Sequence, residues 1–245
     1  MRNSEVKMML NFFDKYKIKK SIYLDVGACV GELTFPFANL FEKIYSFEPN
    51  RESIKIFKKN NKYNNIFLIE KALNNENTKI KFGGFGGELR FNQPGIRCHD
   101  NINEMNTILV NDDSFLKNKI PNPLNLPMPE HNSGDLIYID SVNLETFVYE
   151  NNIDIENISF IKMDIEGGEK IVIPNIINIL DKYKIPLYLE LHTHVLYSNE
   201  CIDILEKLFE VYSKRLDENL NDVSLEFYKS NIQTLGTIQL FFINT

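Results

Sequence analysis

Apolar residues at Val6, Met9, Leu10, Phe13 and Tyr16 follow helical spacing and predict an amphipathic helix over about 4–17. The pattern then changes to a β-rich run at 21–26 that ends in Gly27, and to a helix-like stretch at about 34–41. Pro36 is compatible with that helix only near its start, with Thr34 as the cap. A strand at 43–47, a helix at 51–60 and a strand at 65–69 complete an alternating β-α-β-α-β order. That order predicts an α/β fold with a parallel sheet and right-handed crossovers, in which ligands bind at the carboxyl ends of the strands. The second half repeats the alternation, with a helix at 144–150, a strand at 158–163, a helix at 168–183 interrupted by Pro174, a strand at 185–191 and a helix at 199–214. Two β-rich runs at 224–228 and 237–243 predict an antiparallel pair closing the sheet edge.

Between the halves, about 83–135, periodicity fades into GGFGG and a proline-rich IPNPLNLPMP stretch. A segment that long inside one domain is either functional or disordered. Its apolar pieces, with Arg90, Arg97, His99 and His131, suggest a substrate-covering lid over about 92–134. No repeat or linker divides the chain, so residues 1–245 are expected to form one domain that includes the N-terminal helix (about 1–20).

The balance of 27 Lys and Arg against 34 Asp and Glu gives a formal net charge of -7, which provides no global positive field for nucleic acid. No stretch approaches the ~20 apolar residues of a membrane span, and the N-terminus lacks the apolar core of a signal peptide. These features predict a soluble, cytoplasmic protein whose partner is a small molecule or glycan. Cys29, Cys98 and Cys201 are scattered and lack metal-binding spacing, so reduced thiols are expected.

The candidate chemistry begins at the end of the first strand, in YLDVGACVGE. A dinucleotide fingerprint starting at Gly27 would place glycines at 29 and 32, where Cys29 and Glu32 stand. Asp25, Gly27 and Gly31 better suit a cofactor without pyrophosphate, such as S-adenosylmethionine. Glu48 in SFEPN ends the second strand, where a carboxylate can accept both ribose hydroxyls, a spacing that fits NAD equally well. The structural alternative is that Asp25 and Glu48 only cap turns.

A second cluster, FIKMDIEGGEKIVI, places Lys162 and Asp164 on one side of a strand and brings Glu166 and Glu169 to the sharp turn that follows. Glu169 alone could be a solvated acid at a helix start. A third, LYLELHTH, puts Tyr188, Glu190 and His192 on one face of a buried strand. Asp164, Glu190 and His192 could hold Mg²⁺ or Mn²⁺, or His192 could act as a general base.

Taken in order, DVGACVG, FEPN, SVNLETFVYEN, KMDIEGGE and LELH resemble the FkbM family of S-adenosylmethionine-dependent O-methyltransferases over about residues 20–195. The resemblance implies a seven-stranded class I methyltransferase (Rossmann-like) sheet, with its fourth strand between the first and fifth. It also implies that Asp25, Gly27, Gly31 and Glu48 surround the cofactor, and that Asp164 and Glu166 lie beside the acceptor. Ala28 and Asn50, from the same two motifs, complete the candidate cofactor set. Asp164, Glu166 and His192 are the candidate catalytic residues. The expected reaction is methyl transfer to a hydroxyl, of a sugar or glycan. The alternatives are an NAD-dependent oxidoreductase and a non-catalytic binding module on the same fold.

Overall fold

The computed structural model describes residues 2–82, 137–193 and 196–245. The expected lid at 92–134, with Arg97, His99 and His131, lies outside the described residues, as do Arg90 and Cys98. The architecture is mixed α/β, with six α-helices and a mostly parallel seven-stranded sheet among those residues. In chain order the elements are α1 (Arg2–Lys15), β1 (Ile22–Val26), β2 (Lys43–Phe47), α2 (Arg51–Asn60), β3 (Ile66–Ile69), β4 (Ala72–Leu73), β5 (Lys79–Phe82) and β6 (Ile137–Val142). They continue as α3 (Leu144–Glu150), β7 (Ile158–Met163), α4 (Glu169–Tyr183), β8 (Leu187–His192), α5 (Ser198–Val211), β9 (Lys214–Leu216), α6 (Leu225–Asn231) and β10 (Thr237–Ile243).

The large sheet runs β3-β2-β1-β7-β8-β10-β9. Its pairs from β3 to β8 are parallel, and β10 is antiparallel to both β8 and β9. β1 and β7 are buried at every position, as expected of central strands covered on both faces. Strand alternation sorts their side chains into two cores. On one face Leu24, Val26, Ile161, Met163, Leu187 and Leu189 belong to the core formed with α3, α4 and α5. On the other, Tyr23, Phe160, Tyr188 and Phe241 meet Met8, Met9, Phe12 and Phe13 of α1. Phe12 stacks on Phe241 with ring centroids 4.3 Å apart, and Phe13 meets Phe160 edge-on at 4.8 Å.

This second face positions the site. Two residues further along each parallel strand it changes from aromatic to ionisable: Tyr23 is followed by Asp25, Phe160 by Lys162 and Asp164, and Tyr188 by Glu190 and His192. The register pairs Asp25 with Lys162, Lys162 with Tyr188, and Glu190 with Gln239 of β10. The aromatic half anchors α1, and the polar half lies at the carboxyl ends of the strands.

Several sequence-based elements are corrected. Only a 3-10 turn, Phe35–Phe37, replaces the expected helix at 34–41. Thr34 makes no side-chain cap: its own backbone is already helical, with φ -94° and ψ -59°, and its hydroxyl donates to Asp25. The run at 224–228 starts helix α6, with the Ser224 hydroxyl accepting from Phe227 N, and β9 is the strand that pairs with β10. Pro174 lies inside a continuous α4 and forfeits one bond of the helix without interrupting it. On α1, Leu10 is exposed, and Met8 and Phe12 join the buried stripe. A small sheet, β4-β6-β5, has no counterpart in the expected element order.

Candidate active site

The chain leaves β1 through Gly27, whose φ of +84° is left-handed. A Cβ there would lie 1.8 Å from the carbonyl oxygen of Asp164, so the turn after β1 passes directly over the end of β7. Backbone bonds hold this crossing, with Gly27 N and Ala28 N both donating to Phe47 O at 3.0 Å and Asp164 N donating to Val26 O at 3.1 Å. Gly31 also has a positive φ, and a Cβ on it would meet the Phe35 ring at 2.4 Å. The space at both glycines is therefore taken by the protein itself. Cys29 adopts a left-handed φ of +49° without being glycine.

Glu48 closes the loop from the β2 side. Its Oε2 accepts from Cys29 N at 2.8 Å and its Oε1 from Asn50 N at 2.7 Å. Asn50 in turn caps α2, its Oδ1 accepting from Glu52 N and Ser53 N. The turn-capping role of Glu48 is thus present in the structure, and each carboxylate oxygen has a further lone pair for another donor. Burial pushes the Glu48 carboxyl up to about 7, against the lowering effect of the two amides.

Asp25 is fully buried and works as a strut. Its Oδ2 accepts from the Thr34 hydroxyl, and its Oδ1 lies 3.3 Å from the Lys162 ammonium. Lys162 also donates to Gly27 O at 2.8 Å and lies 3.5 Å from Asp164 Oδ2. One buried cation therefore ties together the ends of β1 and β7. A lysine within the apolar run Phe160-Ile161-Lys162-Met163 is a sequence signal for such a role.

Glu169 is completely buried, so the alternative of a solvated acid at a helix start does not hold. Its Oε1 accepts from Ile165 N at 2.8 Å and its Oε2 from Gly167 N at 2.7 Å. The carboxylate clamps a turn in which Glu166 has φ +54° and Gly167 φ +101°. Burial pushes its carboxyl up to about 7, and the nearby Asp164 charge acts in the same direction.

The turn so held delivers Glu166 to a cluster around His192, which is only 4% exposed. His192 Nε2 lies 3.5 Å from Glu166 Oε2, 3.7 Å from Glu190 Oε1 and 3.8 Å from Asp164 Oδ1. Behind it, Gln239 Nε2 donates to Glu190 Oε2 at 3.4 Å and to Glu5 Oε1 at 3.3 Å, and the Tyr188 hydroxyl donates to Glu5 at 3.4 Å. The structure thus gathers Asp164, Glu166, Glu190 and His192 at one place. Asp25, Gly27, Ala28, Gly31, Glu48 and Asn50 line the adjoining β1 and β2 turns. Glu5 and Gln239 were not read from the sequence. No local pattern links two residues 234 positions apart, and only an isolated polar residue within TIQLFFI marks Gln239.

A model of the methyltransferase FkbM domain matches residues 25–218. The chain belongs to the FkbM methyltransferase family. That interval contains every residue of the turns and of the His192 cluster, and leaves out Glu5 and Gln239. Comparison with curated proteins finds no match. Among solved structures, the methyltransferase FkbM from Methylobacillus flagellatus KT is similar at 14% identity and a TM-score of 0.49, over 94% of this chain and 46% of that one. This chain therefore spans less than half the length of that relative. Among the described residues, no helix is long and apolar enough to cross a membrane.

The two raised carboxyls of this FkbM domain carry a stability prediction. A folded-state value of about 7 against an ordinary 4.5 means that the native protein holds more protons than the unfolded chain between these limits. The stabilising contribution is complete below about 4.5 and is lost as pH rises through about 7. Each group should lower the unfolding free energy by about 1.4 kcal/mol per pH unit within that window. Denaturant melts of the parent and Glu48→Gln between pH 5.5 and 7 measure this. The slope should be shallower in the variant, and identical slopes would refute the shift.

Proposed function

We propose that this FkbM domain transfers a methyl group from S-adenosylmethionine to a hydroxyl of a sugar or glycan, on a class I methyltransferase sheet. The observation that carries the reading is the adjacency of two arrangements: a turn over Gly27 backed by the Glu48 carboxylate, and a buried acid–imidazole cluster at the neighbouring strand ends. The residues suit the cofactor's chemistry. Glu48 has lone pairs available for a ribose diol, and Cys29 and Glu32 occupy two positions where a pyrophosphate fingerprint has glycine. Family membership favours methyl transfer over the hydride transfer of an NAD enzyme.

When bound, the cofactor supplies an already activated sulfonium methyl group. The protein's work is then to align the acceptor and take its proton. Asp25, through Lys162 and Thr34, fixes the turn that carries Gly27, Ala28 and Gly31, and Glu48 receives the ribose hydroxyls. Asp164, Glu166 and His192 face the acceptor. As the acceptor oxygen gains the methyl group, its proton passes to this cluster. Burial strengthens each of these interactions relative to water.

Calorimetric titration with S-adenosylhomocysteine and transfer of a labelled methyl group to a glycan panel test the reading. Glu48→Ala should weaken S-adenosylhomocysteine by roughly tenfold or more, because charge-assisted bonds of about 1.5–3 kcal/mol are lost. An unchanged dissociation constant would end the Glu48 assignment. Cofactor binding without transfer to any acceptor in the panel would favour a non-catalytic module.

A further inference from the structure

Glu48 is buried where the turn after β1, the end of β2 and the start of α2 meet. Its contacts are defined oxygen by oxygen. Oε2 accepts from Cys29 N at 2.8 Å, and Oε1 accepts from Asn50 N at 2.7 Å. Both partners are backbone amides, which donate and cannot accept. An ionised carboxylate offers about four lone-pair sites, so two remain once the amides are served. That number matches the two hydroxyls of a ribose. Protonation turns one of the two remaining sites into a donor, and neither amide can receive it. The proton and the diol therefore claim the same part of the carboxyl group.

The surroundings decide which form the free protein holds. The charged groups acting on Glu48 are Asp25 of β1 and Lys162 of β7. Asp25 favours the protonated form. Lys162 opposes it, but its ammonium is shared with Asp25 at 3.3 Å and with Asp164 at 3.5 Å. On α2, Asn50 and Ser53 are uncharged, Arg51 is exposed, and Glu52 is engaged by Lys55. Beyond β3, Glu70 pairs with Lys58. Burial outweighs the two amides and Lys162, and keeps the proton on Glu48 up to pH about 7.

We infer that cofactor binding at the β1 and β2 turns is proton-linked, the ribose diol of S-adenosylmethionine displacing one proton from Glu48 to solvent. The inference rests on the reading of Glu48 as the ribose acceptor. The balance is simple: a neutral carboxyl and a free cofactor give a carboxylate holding two hydroxyls, and one proton in solution. In the free protein the ionised form prevails above about 7 and declines as pH falls through that value, so cofactor affinity declines in the same direction.

The test is calorimetric titration of the full chain with S-adenosylhomocysteine between pH 6 and pH 8, each point in two buffers of different ionisation enthalpy, so that the difference in heat counts the protons released. Release of about 0.9 proton per cofactor is expected at pH 6 and about 0.1 at pH 8, with a dissociation constant about tenfold higher at pH 6. Glu48→Gln, which cannot titrate, should bind more weakly, with a dissociation constant that is flat across this range and no proton release. Glu169 titrates in the same window and stays in place in this variant, so a response carried by Glu169 would persist there. The parent's proton count decides even where the variant binds too weakly to titrate. A parent dissociation constant that is unchanged between pH 6 and pH 8, no proton release at pH 6, or the same release from Glu48→Gln would overturn the linkage and leave the cofactor reading standing. No S-adenosylhomocysteine binding at pH 8 would remove both.

Discussion

Replacing Gly27 with alanine is expected to cost the fold roughly 2–5 kcal/mol, the sum of a left-handed backbone penalty and a steric clash. The clash is severe because the new Cβ would lie 1.8 Å from the Asp164 carbonyl oxygen, which is backbone and cannot rotate away. Relief would require separating the turn from the end of β7. That motion would strain the bonds from Gly27 N and Ala28 N to Phe47 O, and the bond from Lys162 to Gly27 O. Gly236→Ala is the control, since a Cβ there meets nothing within 4 Å. Its effect should be small, within the range usual for a compatible Gly→Ala change. Urea melts at constant m-value measure both variants, and a loss below about 1 kcal/mol for Gly27→Ala would show that the crossing can relax.

That crossing explains both what the sequence reveals about this site and what it conceals. Strand alternation suffices to put Lys162 with Asp164, and Glu190 with His192, on common faces, because a period of two is a property of the strand itself. Placing these pairs side by side needs the strand order, which the β-α-β alternation and the motif resemblance supplied together. Two positions hide their structural role for a local reason. Glu169 looks like a solvated first-turn acid because the turn that buries it, with left-handed Glu166 and Gly167, lies in backbone angles that no side-chain pattern records. Cys29 looks like a break in a glycine turn, yet it adopts the left-handed conformation, and its backbone N–H donates a hydrogen bond to the Glu48 carboxylate.

The C-terminal correction has a different cause. Residues 224–228 alternate polar and apolar side chains over too few positions to separate a strand from one helical turn, and the Ser224 cap decides for the helix. Likewise, Thr34 is a candidate cap in the sequence, but its backbone is itself helical and its hydroxyl donates to Asp25, nine residues away, a contact that no local pattern records. Glu5 and Gln239 are the extreme case, since their contacts with each other and with Glu190 exist only after α1 has docked through Phe12 and Phe13 and β10 has paired with β8.

Asp164→Asn should lower methyl transfer by about 10²–10⁴-fold while leaving S-adenosylhomocysteine affinity within threefold. The substitution keeps the shape, so the backbone bond from Asp164 N to Val26 O and the crossing over Gly27 remain. Lys162 also stays held by Asp25 and Gly27 O, which limits the damage to stability. What changes is the centre of the cluster. An asparagine that turns its carbonyl to Lys162 must point its amide toward His192, and a donor there opposes an imidazole that has to accept a proton or bind an ion. The loss should therefore follow whether His192 acts as base or as ligand. His192→Gln should give a comparable loss, and the double variant should lose little more than the worse single one, because parts of one device are not additive. Single-turnover assays at saturating cofactor measure all three. Activity of Asp164→Asn within tenfold of the parent, or losses that multiply in the double variant, would show that these two residues do not act on one reacting oxygen.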